Sequence, residues 1–198
     1  MKKINLPNVP ILTDTVPNEL YDSLLRESHE VFDKENLSFS TELAGHIKKE
    51  YFLKENIRVM KNYIHSLSKK LASTMDKLDI GYYGNDFLLK ELWVNFQKKH
   101  EFNPLHVHGG IFSFVIFMKI PYNLNEEEKL FSAQSLHVSK LEFYYTNVLG
   151  RIVNFDLNIN KSDEKTILFF PSKLNHIVYP FFTKDDYRIT ISGNVYGK

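Results

Sequence analysis

Eight histidines occur in this 198-residue chain, and three of them are placed where they could share a metal ion. His106 and His108 flank Val107 in Pro104-Leu105-His106-Val107-His108-Gly109-Gly110. In extended backbone, residues two apart project to the same side, so both imidazoles can reach one ion. Gly109 and Gly110 then let the chain turn away at once. An isolated His-x-His is common on surface loops, and alone it does not establish a site. His176 lies just past a strongly apolar strand ending at Phe169-Phe170-Pro171, where a histidine is often a core residue bonded to backbone; the upstream pair and the downstream Arg188 in one β-rich unit favour a ligand. His29, His46, His65 and His137 have no partner at ligand spacing and read as surface or packing residues, and His100, after two lysines, reads as an exposed strand end.

A second set of polar residues lies downstream. In Tyr187-Arg188-Ile189-Thr190-Ile191-Ser192-Gly193-Asn194-Val195, strand alternation places Arg188, Thr190, Ser192 and Asn194 on one face. A polar face inside an apolar sandwich needs partners, since unpaired buried polar groups are costly. Arginine can clamp a carboxylate through two parallel hydrogen bonds, and the Thr190 hydroxyl can add another. The same face exposed to solvent at the end of the chain would need no such explanation. Trp93, Asn95 and Gln97 alternate on one face of an earlier strand, either lining a pocket or forming a structural hydrogen-bonded row.

The elements that must position these residues divide the chain in two. In the first part, Leu20, Leu24, Leu25, Ser28, Val31 and Phe32 recur at helical spacing after Pro17. Ile57, Met60, Ile64, Leu67, Leu71, Met75 and Leu78 then build one apolar helical stripe, with Gly81 and Gly84 marking its exit. From about Phe87 the pattern turns to β: Leu88–Phe96, Ile111–Ile120, Leu136–Tyr145, Arg151–Leu157, Thr166–Phe170 and Tyr187–Val195 are rich in β-branched and aromatic residues. Asn103-Pro104 and Pro121–Glu128 punctuate them as turns, and Glu126-Glu127-Glu128-Lys129 reads most simply as a solvated loop. The run from Ile111 to Phe117 is apolar on both faces, as in a strand covered on both sides. The expected class is α+β, mostly β: one domain over 1–198, with a mainly helical support at 1–85 and a β-sandwich core at 86–198.

Composition excludes several alternatives. With 25 basic and 24 acidic residues the formal net charge is +1, which gives no general pull toward nucleic acid or an anionic membrane. There is no cysteine, so disulfides, thiol nucleophiles and zinc–thiolate sites are ruled out. The start, Met1 to Pro7, lacks the apolar stretch of a signal peptide, and the longest apolar run, Ile111–Met118, is too short to span a bilayer. The expectation is a soluble cytoplasmic protein. Its oligomeric state, a homodimer included, is left open, since any exposed β-edge can pair.

Trp93-Val94-Asn95-Phe96-Gln97-Lys98-Lys99-His100-Glu101-Phe102-Asn103-Pro104 running into His106-Val107-His108, then Phe112-Ser113-Phe114-Val115, Leu168–Pro171, Asn175-His176 and Tyr187–Asn194, together make a recognisable pattern. So does Glu42-Leu43-Ala44-Gly45-His46-Ile47-Lys48-Lys49-Glu50-Tyr51. The sequence resembles the iron(II)/2-oxoglutarate oxygenases common in marine phage genomes, relatives of the prolyl-hydroxylase-like group. The resemblance implies a double-stranded β-helix (a jelly roll) and a dioxygenase that hydroxylates a substrate using Fe(II), 2-oxoglutarate and O2, in the host cytoplasm if the gene is viral. It implies His106, His108 and His176 as metal ligands. Arg188 would hold the far carboxylate of 2-oxoglutarate with Thr190 beside it, and Asn95 and Ser113 are further co-substrate candidates. His108 departs from the pattern, because the wider superfamily has a carboxylate there. Three neutral imidazoles leave the site more positive by one charge.

Two other readings fit part of the pattern. A non-catalytic metal- or ligand-binding jelly roll, such as a phage accessory or structural protein, accounts for the missing carboxylate. A zinc hydrolase accounts for three histidines around an open position but gives Arg188 no role.

Overall fold

The computed structural model describes residues 8–78, 84–134 and 136–198; the basic start at Met1–Pro7 and Gly81 lie outside them. Helix α1 (Asn18–Val31) buries Leu24, Ser28 and Val31, and α2 (Asn56–Lys77) buries Met60, Ile64, Leu67, Leu71 and Met75. These spacings of three and four are the stripe read from the sequence. The two helices are joined at a cap: the Glu27 carboxylate of α1 accepts the backbone N–H groups of Glu55 and Asn56 at 2.8 and 2.9 Å. It thereby satisfies donors that the first turn of α2 leaves unpaired, and places a negative charge at its positive end.

The strands form two antiparallel sheets. The larger contains β1 (Leu12–Thr15), β2 (Glu50–Phe52), β3 (Phe87–Gln97), β5 (Phe112–Lys119), β8 (Thr166–Pro171) and β10 (Arg188–Gly197), in the order β1-β8-β5-β10-β3-β2. The smaller contains β4 (Asn103–His106), β6 (Lys140–Thr146), β7 (Ile152–Asn158) and β9 (Asn175–Val178), in the order β4-β9-β6-β7. A short helix α3 (Leu124–Glu128) follows β5. This is the jelly-roll arrangement expected from the sequence, with helices packed on one side.

The period of two along each strand separates two interiors. Val94, Phe96, Ile189, Ile191, Phe112 and Ile116 join the buried helix residues in one apolar core. The opposite face of the larger sheet meets the smaller one, where Phe117, Phe143, Phe170 and Phe181 form a second cluster. Because Asn95 pairs with Thr190 and Gln97 with Arg188, the polar positions of β3 and β10 share that inner face beside a cavity.

The structure corrects the sequence reading in several places. The first 85 residues supply β1 and β2, both on edges of the larger sheet, as well as helices. Asn103-Pro104, read as a turn, opens a strand at 103–106, and 175–178 is a further strand that the pattern did not mark. Glu127, expected in a solvated loop, is fully buried and accepts the Phe182 and Thr183 backbone N–H groups at 2.8 Å each. That carboxylate ties α3 to the segment leading into β10. Among the described residues, no helix is long and apolar enough to cross a membrane.

Candidate metal centre and its cavity

Strand pairing brings the histidines together. His106 at the end of β4 lies directly opposite His176 on β9, and their ring centroids are 4.2 Å apart. His108 enters from the turn that follows, with its ring 4.9 Å from His106 and 5.0 Å from His176. One nitrogen from each ring lies within 4.8 Å of the others. Gly110 makes this turn possible: its φ is +74°, and a Cβ there would stand 2.4 Å from the Val195 carbonyl oxygen. The turn is tied to the β8–β9 connection, since the His108 N–H donates to Ser172 O at 2.9 Å and the Ser172 hydroxyl donates to Gly110 O at 2.6 Å.

Hydrogen bonds set which nitrogens face inward. His106 Nδ1 lies 2.7 Å from Pro104 O, and His176 Nδ1 lies 2.9 Å from Leu174 O. A carbonyl can only accept, so each Nδ1 carries the proton and each Nε2 presents a lone pair. His108 Nε2 is 3.2 Å from His176 Nε2. Two nitrogens bonded at right angles to one ion at about 2.1 Å would be separated by roughly 3 Å, so this spacing suits a shared metal. Burial pushes His108 down to about 2, with His176 and His106 adding to the effect, and pushes His176 down to about 3. Burial lowers His106 as well. All three imidazoles are therefore neutral near pH 7, the form that binds metals. The donor set fits iron(II), and its open side faces the cavity.

Arg188 lies on the wall of the same cavity and is only 2% exposed. Its Nε and Nη2 both donate to Gln97 Oε1, at 2.9 and 2.6 Å. Nη1 donates to the Tyr122 hydroxyl at 3.1 Å, and Nη2 to Tyr179 O at 3.0 Å. Every one of these partners is neutral, so the fork is oriented but its charge is not compensated by the groups it bonds. A buried cation without an anion is expensive, and the cavity beside it is where an anion fits.

The other candidates divide. Asn95 and Thr190 line the cavity, bonded to each other at 3.0 Å, and Asn95 Oδ1 also accepts the Trp93 indole N–H at 3.0 Å. Asn95 is therefore both a wall residue and part of a structural row. Ser113 does not line the cavity: its hydroxyl donates to Asn194 Oδ1 at 2.7 Å, and Asn194 passes the chain on to Glu91 at 2.5 Å. Its outlet is a structural network, because its place on β5 turns it toward Asn194 of β10. The sequence reading missed Tyr122, Glu50 and Asn103 as members of the site, since none stands at a spacing that marks it.

The family model described as "Putative 2OG-Fe(II) oxygenase" matches residues 91–194, more than half of the chain, from within β3 into β10. The chain belongs to the 2OG-Fe(II) oxygenase family. It is therefore an oxidoreductase that uses iron and 2-oxoglutarate. Among solved structures, it is similar to a prolyl-4-hydroxylase from Pseudomonas putida, with 14% identity over 96% of this chain and 94% of that chain and a TM-score of 0.60. It is also similar to the viral collagen prolyl hydroxylase of Paramecium Bursaria Chlorella virus-1, solved with 2OG, with 12% identity, 93% and 94% coverage and a TM-score of 0.51. At these identities the likeness concerns the fold alone. No curated protein matches the chain.

Proposed function

We propose that this oxygenase holds its iron through His106, His108 and His176, anchors the distal carboxylate of 2-oxoglutarate on Arg188 and Thr190, and hydroxylates a substrate that enters the same cavity. The observation that carries this reading is Arg188: a buried guanidinium bonded only to neutral groups, in one cavity with three neutral inward-facing imidazoles. Iron and 2-oxoglutarate together supply the oxidising chemistry, consuming O2 and releasing succinate and CO2 as one oxygen atom is inserted into a C–H bond. The chain's own residues prepare for it. Pro104 O and Leu174 O fix the ring orientation of two ligands; Gln97, Tyr122, Ser139 O and Tyr179 O orient the Arg188 guanidinium, and a carboxylate would take over donors that these neutral groups now hold. Phe117, Leu141, Phe170 and Val178 line an apolar wall that limits water beside the reacting centre.

The shared apolar core of α1, α2 and the larger sheet supports treating the chain as one domain, in which the N-terminal part braces the β-core. The block from Trp93 to Phe114, with His108 in place of an acid, is the ground for placing it with the marine-phage type. The deciding experiment is an anaerobic titration of metal-free protein with iron(II) and then 2-oxoglutarate. A visible charge-transfer band is expected, lost in His176→Ala and weakened in Arg188→Ala. Stoichiometric iron binding with no band in the wild type would overturn the co-substrate assignment.

A further inference from the structure

The cavity has a second unsatisfied polar end. Glu50 is 2% exposed and lines the cavity, yet its Oε1 is buried without a hydrogen-bond partner among the described residues. Asn103, on the strand that ends in His106, also lines the cavity, but its buried Oδ1, likewise without a partner, packs against Gly45, where a Cβ would stand 2.1 Å from it. Pairing of β2 with β3 sets Glu50 opposite Asn95 on the inner face, but Asn95 is already engaged by Trp93, Thr190 and Ser192. Gln97 is equally committed, accepting from Arg188 and donating to Glu101 O. The neighbouring side chains thus leave Glu50 and Asn103 unserved. Asn103 Oδ1 is an acceptor, and the Glu50 carboxyl becomes acceptor-only when it is ionised.

An isolated buried acceptor is costly, and a carboxyl more so. A donor that enters the cavity removes that cost. 2-Oxoglutarate is unsuited to ionised Glu50, since its carboxylates only accept, and Arg188 is the group that suits them. A carboxamide or hydroxyl would bring acceptors of its own as well as donors. Ammonium and guanidinium groups bring donors only, and a charge that complements a carboxylate.

We infer that Glu50 is the anchoring site for the primary substrate, and that this substrate carries a cationic amine or guanidine group. The inference rests on the oxygenase reading of the cavity and names the substrate class for it. Burial raises the Glu50 carboxyl to about 8, with Glu101 adding to the effect, so a bound cation would also draw a proton off this group. Leu43, Ala44 and Ile47, from the segment preceding β2, line the same cavity and would pack on the substrate's apolar part.

The test is calorimetric titration of methylguanidinium, with neutral methylurea as control, into wild-type protein and Glu50→Gln. It is run on metal-free protein at pH 9, where Glu50 is ionised, and on anaerobic protein loaded with iron(II) and 2-oxoglutarate. Binding of methylguanidinium to wild type, weakened about 10- to 100-fold in Glu50→Gln, is expected, with no such difference for methylurea. Circular dichroism and the unfolding curve of Glu50→Gln establish that the variant is folded. Absence of methylguanidinium binding in both preparations, or equal binding by both proteins, would overturn the inference. Failure of the oxygenase reading is a separate result, reported by the visible band and not by this titration.

Discussion

Replacing Glu50 with glutamine removes a titrating group from the core, and the consequence for stability can be worked through. The Glu50 carboxyl is raised from 4.5 to about 8 by burial, with Glu101 adding to it. Below pH 4.5 both the folded and unfolded chains hold this proton, and the group does not distinguish them. As pH rises past 4.5 the unfolded chain releases the proton while the folded chain keeps it, so stability falls until pH reaches about 8. Each pH unit in that window costs about 1.4 kcal/mol, which amounts to roughly 3 kcal/mol at pH 7 and about 5 kcal/mol above pH 8.

Glutamine has nearly the same shape and does not titrate. Metal-free Glu50→Gln should therefore match the wild type near pH 4.5 and exceed it by about 3 kcal/mol at pH 7, a rise in Tm of roughly 6–12 °C. The assay is urea unfolding of both proteins with chelator present, at pH 4.5, 6, 7 and 8.5. His108 and His176, held low by burial, act in the opposite direction: the stability they contribute is present above pH 6.5 and is lost as pH falls below it. They are common to both proteins and cancel in the difference. A difference that does not grow between pH 4.5 and 8 would refute the claim that Glu50 is buried as an acid without a partner.

Three further outcomes follow from the site. Arg188→Met should weaken 2-oxoglutarate binding about 10- to 100-fold while leaving iron affinity unchanged, measured as the midpoint of the visible-band titration; an unchanged midpoint would remove Arg188 from the carboxylate site. Iron(II) at about 100 times its Kd should add roughly 2.7 kcal/mol of stability, or about 5–10 °C in Tm, in wild type and nothing in His176→Ala. Gly110→Ala meets both the +74° φ and the Val195 carbonyl, so it should lose roughly 1–3 kcal/mol in denaturant unfolding and bind iron more weakly, because His108 sits on that turn. Wild-type iron affinity in that variant would show that the turn does not position the ligand.

How much of this was legible in the sequence depends on the length of the signal. The α2 stripe and strands β3, β5 and β10 run for seven or more residues, long enough for a period to show, and they stand where the pattern put them. β4 and β9 have four residues each, and β4 contains a proline, so neither stood out as a strand although they carry His106 and His176. His-x-His was readable because its spacing alone fixes a common side. The opposition of His106 and His176 across a strand pair was not, since it depends on a register between segments seventy residues apart. Glu50 and Glu127 were missed for the same reason in different form: a glutamate in a charged stretch is normally solvated, and only tertiary packing buries it.

Under the proposed ligand assignment His108 gives the cavity an unusual charge balance, in which Arg188 and Glu50 both take part. With the proposed ligands, three neutral imidazoles would give iron no negative ligand, so the metal would bring two positive charges and Arg188 a third. 2-Oxoglutarate supplies two negative charges, which leaves one positive charge over. Among the residues lining the cavity, Glu50 is the acid that can take it up, and loading the site lowers the cost of ionising it. Before the co-substrate binds, iron and Arg188 together repel a cation; afterwards the repulsion has largely gone and Glu50 is drawn toward its carboxylate form. In the proposed arrangement a cationic substrate therefore binds the iron-loaded site more tightly once 2-oxoglutarate is present, and a neutral third ligand is what couples the two events.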